Sequence, residues 1–145
     1  NVGDQEPFAL FGFECDDGWF RILLNLSRCI QNYIDSTNNW ASKYPNEKNK
    51  PVEQVKVHQV KEKFGGLRFY YSGGDERITG MVSLAEEMCN NTCEFTGATD
   101  NVGRNARGWI KTTHKSHARF ETDFYMVDDP ELIEILNEKN KKEKE

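Results

Sequence analysis

Two adjacent glycines, Gly65-Gly66, separate two runs of alternating side chains, and this arrangement limits the fold more than any other stretch of the chain. Val55, Val57 and Val60 lie before the pair, and Leu67 to Tyr71 follow it. Alternation on both sides of a glycine turn specifies an antiparallel hairpin. A second pair, Gly73-Gly74, ends it. A two-residue turn at Gly65-Gly66 sets Lys63 opposite Arg68 and Lys61 opposite Tyr70. A four-residue loop, Lys63 to Gly66, instead sets Lys61 opposite Arg68 and Gln59 opposite Tyr70. Both leave the same side chains on the same face, because strand side chains alternate with period two. Val60, Leu67, Phe69 and Tyr71 form a core face. Gln59, Lys61, Arg68 and Tyr70 form the other, joined by Lys63 if the strand reaches it.

A lone hairpin is marginal in water and needs a packing partner. Trp19, Ile22, Leu23, Leu26, Cys29, Ile30, Tyr33 and Ile34 recur at spacings of three and four, the stripe of an amphipathic helix started by Asp16 and Asp17. The polar stretch 35–51 reads as a long loop. Asp75 caps a second helix with Ile78, Met81, Val82, Ala85, Met88 and Cys89 inward, stopped by Asn90 and Asn91. A turn at Cys93–Gly97, a short strand at 109–113 and a further strand within 120–127 follow. Asp129 and Pro130 open a last helix whose inner side is Leu132, Ile133, Ile135 and Leu136. Phe8, Leu10, Phe11 and Phe13 give the extended first stretch apolar contacts. The expected fold is α+β: a small antiparallel sheet, the hairpin 55–71 plus short strands, packed against two or three helices. It is read as a single domain over 1–136 with a charged, frayed tail over 137–145. At 37% hydrophobic residues in 145, the chain can build a core.

The outer hairpin face carries the chemistry. Like charges placed opposite each other destabilise a ladder, so cations beside a tyrosine invite an anion. Arg offers a fork for phosphate, Lys a point charge, and Tyr a stacking face and a donor. The alternative is a solvated face whose cations pair with nearby acids, Glu62 excluded because it points inward. Arg104, Arg107 and Trp109, between Gly103 and Gly108, add a second cationic and aromatic element, although Trp109 alone reads as a core side chain. The candidate ligand-binding set is therefore Lys61, Lys63, Arg68, Tyr70, Arg104, Arg107 and Trp109. Cys89, Cys93, His114 and His117 have spacings within reach of a zinc site, although Cys89 also fits the core stripe of its helix. No cofactor is otherwise expected. No Ser-His-Asp order, Walker loop or H-E-x-x-H string is present, so a non-enzymatic role is expected. A net charge of −5 argues against a bulk nucleic-acid coat, and no apolar run is long enough for a membrane. Without a signal-peptide pattern in the first twenty residues, the four cysteines are expected to be reduced thiols and the location cytoplasmic.

Phe13-Glu14-Cys15-Asp16-Asp17-Gly18-Trp19, Val60-Lys61-Glu62-Lys63-Phe64-Gly65-Gly66-Leu67-Arg68-Phe69-Tyr70, the Cys93 turn and Gly108-Trp109 together resemble a family of short bacterial and phage proteins of uncharacterised function. The resemblance covers about residues 11–118. It implies a zinc-ribbon-like knuckle in the second half, where this chain has Thr96 in place of the second Cys and His114 where a Cys is common. It also implies a bacterial or phage setting. There, a small protein that binds a phosphorylated molecule and sequesters a nucleotide signal of host immunity is the expected function. The alternative is a degenerate zinc-ribbon regulator binding a protein or nucleic acid. Expected partners are thus a phosphorylated small molecule or nucleotide, with self-association as a further option; nucleic acid and membrane are not expected.

Overall fold

The structure is a computed structural model that describes residues 13–118 and 123–144. Phe8, Leu10, Phe11, Phe120 and the last residue of the tail lie outside the described residues. The fold is α+β. A 3-10 turn at Asp17–Trp19 leads into α1, Phe20–Lys43. The hairpin is β1, Lys56–Lys63, and β2, Gly66–Ser72. Helix α2, Glu76–Asn90, follows. A second sheet has the order β4-β3-β5, with β3 at Val102–Asn105, β4 at Thr112–His114 and β5 at Phe124–Met126. Helix α3, Pro130–Lys144, ends the described chain. No described helix is long and apolar enough to cross a membrane.

The first core is the one the alternation demands. Val57, Val60, Leu67 and Phe69 from the hairpin meet Leu23, Leu26, Ile30 and Ile34 of α1 and Ile78, Val82, Ala85 and Cys89 of α2. Asp75 caps α2 as expected, its carboxylate accepting from the Arg77 and Ile78 amides. It also accepts from the Tyr33 hydroxyl, which fastens α2 to α1.

Four local expectations are corrected. Helix α1 runs on to Lys43 instead of yielding to a loop at 35, because Ala41 buries and the Asn38 amide group holds both Val52 N (2.7 Å) and Val52 O (3.1 Å). Cys29 faces water, and the adjacent Ile30 takes the inward position. Strand β4 starts at Thr112 rather than 109. Over 137–144 the chain is helical as part of α3, and Lys139 donates to the Ala106 carbonyl. On α3 only Leu132 is fully buried, while Ile133 is exposed.

Candidate functional site

The hairpin closes one residue earlier than a Gly65-Gly66 turn would. Lys63 pairs with Gly66, Lys61 with Arg68 and Gln59 with Tyr70, the register of the longer-loop alternative. The turn residues are Phe64 and Gly65, both at positive φ (54° and 77°), as the twist of a tight hairpin requires. Gly66 has a different task. A Cβ there would lie 3.2 Å from Arg68 Nη1 and 3.3 Å from Asn90 Oδ1. Its bare backbone lets these two groups close over the tip.

Arg104 reaches the same place from β3. Its Nε donates to Thr112 Oγ1 (2.7 Å), and its Nη2 donates to Gly65 O (3.2 Å) and Asn90 Oδ1 (2.6 Å). The Thr112 hydroxyl in turn donates to Gly65 O at 2.5 Å. The hairpin tip is thereby clamped to the second sheet. Among the described residues the Arg68 guanidinium donates only to the neighbouring Leu67 carbonyl, at 3.2 Å. Two guanidinium groups and a carboxamide thus surround one glycine pair.

No carboxylate lies within ion-pairing distance of either guanidinium among the described residues, where the ion pairs join Lys111 to Glu62 and Glu94 and His114 to Asp100. Burial, and then the like charge of Arg68, hold the Arg104 pKa below its ordinary value; Glu87 and Glu62 oppose this more weakly. Burial likewise raises the Glu86 carboxyl, with Arg68 pulling the other way. Arg104 Nη1 makes no hydrogen bond among the described residues, and no fully buried side-chain nitrogen or oxygen is left unpaired. Nη1 therefore reaches open space. Arg104 lines a cleft of about 340 Å³ between the end of α2 and α3, together with Glu87, Asn90, Asn91, Asn137 and Asn140 and an apolar wall of Val127, Leu132, Ile133 and Leu136.

The other expected ligand-binding residues divide. Lys61 and Tyr70 share the outer hairpin face with Arg68, the Lys61 ammonium 5.9 Å from the Tyr70 ring centre. Lys63 is at the tip, its ammonium 5.3 Å from the Phe64 ring. Neither lysine is in an ion pair among the described residues. An acid does stand at this edge: Glu14 adds a backbone bridge to β1 and accepts from Gln59 at 3.4 Å. Arg107 and Trp109 are on the loop between β3 and β4 and take no part in the hydrogen bonds of the tip clamp. The expectation that Trp109 is a core side chain is corrected, for it is 70% exposed. Asn105 explains this by bonding Arg107 O, Trp109 O and Lys111 N, so that Ala106 and Ile110 bury and Trp109 swings out.

The four candidate zinc ligands are not gathered into one set. Cys89 is a core thiol of α2, raised to about 12 by burial, then by Cys15 and nearby acids. Cys93 is in the turn, where Sγ accepts from Thr96 N at 3.4 Å. Burial would raise this thiol, but hydrogen bonds from Thr96 and from the backbone of His114 and Phe95 outweigh it and lower the pKa. His114 and His117 both point Nδ1 at Ser116 Oγ, at 2.8 and 3.1 Å. Among the described residues no three His, Cys, Asp or Glu side chains are placed to share an ion.

Asn90 and Thr112 are essential to the clamp, yet nothing in the local sequence marks either one; Asn90 reads only as a helix stop. A buried triad also went unread. Lys111 Nζ lies 3.2 and 3.3 Å from the two Glu94 oxygens and 3.6 Å from Glu62 Oε2, and Glu94 has no exposed side-chain surface. Glu62 does point inward as expected, its Oε1 accepting from Gly65 N at 2.7 Å. Comparison with known proteins finds no family model, no curated protein and no solved structure that matches this chain.

Proposed function

We propose that the protein is a non-enzymatic binding module for a phosphorylated small molecule, held at the hairpin tip. One observation carries this: Arg104, half-buried and in the field of Arg68, has among the described residues no acid within ion-pairing distance and no partner for its Nη1, and it lines a cleft. A partly desolvated cation without a counterion is costly, and an anion that forks onto Arg104 and Arg68 would relieve both guanidinium groups at once. The asparagine amides along the cleft, each both donor and acceptor, suit the polar remainder of such a ligand. Lys61 and Lys63 strengthen the field that draws the anion in. Binding rather than turnover is proposed because the Thr112 hydroxyl at the tip is committed to Gly65 O and the Glu62 carboxylate to Gly65 N and Lys111, with no nucleophile held by a base among the described residues. The resemblance to phage proteins points to a nucleotide signal of host defence as the ligand.

Calorimetry against inorganic phosphate and a panel of mono-, di- and cyclic nucleotides tests the proposal. Arg68→Ala is the informative variant, since among the described residues the Arg68 side chain makes one hydrogen bond, to the Leu67 carbonyl, and its loss should leave the fold intact. At least one phosphorylated compound should bind, weaken as salt rises, and lose about tenfold or more in affinity with Arg68→Ala. If no member of the panel binds, or Arg68→Ala binds equally well, the proposal fails.

A further inference from the structure

The opposite face of the second sheet holds a larger cleft, of about 470 Å³, walled by Phe95, Trp109, His117 and Phe124 and floored by Lys111 and Thr113. Strand alternation separates it from the arginine notch: Arg104 pairs with Thr112 on one face, while Gly103 pairs with Thr113 on the other. Three features mark it as built to be filled. Trp109 is 70% exposed although its loop is fixed, with Asn105 holding its carbonyl at 2.8 Å and Asp123 holding the Ala106 and Arg107 amides at 3.1 and 3.0 Å. A large apolar ring presented on a pinned loop is unusual, since Trp is normally covered. Thr113 is 4% exposed as a residue and lines this cleft, and its hydroxyl makes no hydrogen bond among the described residues. Since no fully buried side-chain oxygen is left unpaired, this hydroxyl reaches open space and is free to bond a ligand there. Finally, the Lys111 ammonium is already balanced by Glu94 and Glu62, so the floor does not attract net negative charge.

We infer that this cleft is a second binding site, distinct from the anion notch, and that it takes a planar, uncharged heteroaromatic ring of the nucleobase type. Trp109 and Phe95 supply stacking faces, which act on any such ring. Thr113 Oγ1 and Lys111 Nζ supply hydrogen bonds to its carbonyl or ring-nitrogen acceptors. The aromatic walls and few convergent polar groups, at this volume, are those of a small-molecule pocket.

The test uses the full chain carrying Trp40→Phe, which removes the other exposed tryptophan and leaves Trp109 as the accessible emitter. Uncharged nucleosides (adenosine, cytidine, guanosine and uridine) are titrated while fluorescence is followed. At least one should give saturable quenching, which vanishes with Trp109→Phe and weakens about tenfold with Thr113→Val at an unchanged melting temperature. Arg68→Ala should leave the nucleoside titration unaltered, so failure here and failure of the anion notch are separate results. Absence of saturable quenching with all four nucleosides, quenching that survives Trp109→Phe, or equal affinity in Thr113→Val would overturn the inference.

Discussion

At the scale of single residues, Lys111 governs the electrostatics of the junction between the sheets. Burial would lower its ammonium pKa, but the Glu94 hydrogen bond and the charges of Glu94, Glu62 and Asp16 outweigh that and raise it. In Glu94 burial wins instead: it raises the carboxyl, and Lys111 restrains the rise. Replacing Lys111 by Met leaves a fully enclosed carboxylate without its cation. Loss of one partner from a buried pair costs about 3–5 kcal/mol, and the lower end applies because Lys111 itself is partly exposed. The pH dependence distinguishes this from lost packing. A carboxyl whose folded pKa lies above its unfolded value binds protons more tightly when folded, so its contribution is present at low pH and is lost as pH rises through the folded pKa. Lys111→Met should therefore lose stability relative to the parent as pH rises from about 4 through neutrality. Urea melts of both proteins across that range measure it. A pH-independent deficit would show that the carboxylate is not the cause.

At the scale of elements, the hairpin turn is both a chain reversal and half of the site. Gly65 is at φ +77°, and a Cβ there would come 3.0 Å from Thr112 Oγ1, 3.2 Å from Ile110 and 3.3 Å from Arg104 Nε. Gly65→Ala should thus cost about 1–2 kcal/mol from backbone strain alone, and more if the clamp shifts. Chemical denaturation gives the number, and a value near zero would mean the turn is not held in this conformation. The alternation in β1 and β2 made both hairpin faces legible, because burial of one face allows only one parity. Turn position was less legible. Both registers share that parity, and the choice falls to Asn90 and Arg104, which are distant in sequence. The same limit explains α1, whose last turns are polar and stay helical because Asn38 anchors the Val52 backbone.

At the scale of the whole molecule, two sheets meet at the glycine tip, and each side of that junction carries a different chemistry. The outer hairpin cations were readable as a set. Their union with Arg104 was not, since it depends on how the second sheet docks against the first. The reading of Trp109 as core failed for a related reason: burial preference describes an average, and Asn105 dictates the local path. Thiol chemistry reports on the assembled packing. Cys15, raised to about 11 by burial and then by Glu94 and Asp16, and Cys89, raised to about 12, should resist iodoacetamide at pH 8, whereas exposed Cys29 should react readily. Mass spectrometry of native and urea-treated protein follows this. Equal labelling of Cys89 and Cys29 in the native state would contradict the docking of α2 onto the hairpin.

The most direct test of the arginine notch follows the guanidinium Nε–Hε signals by NMR while inorganic pyrophosphate is added. The signals of Arg68 and Arg104 should move together and saturate at one equivalent site, with those of Arg21, Arg28 and Arg77 left in place. Signals that stay fixed, or that drift without saturation at every arginine alike, would contradict the account.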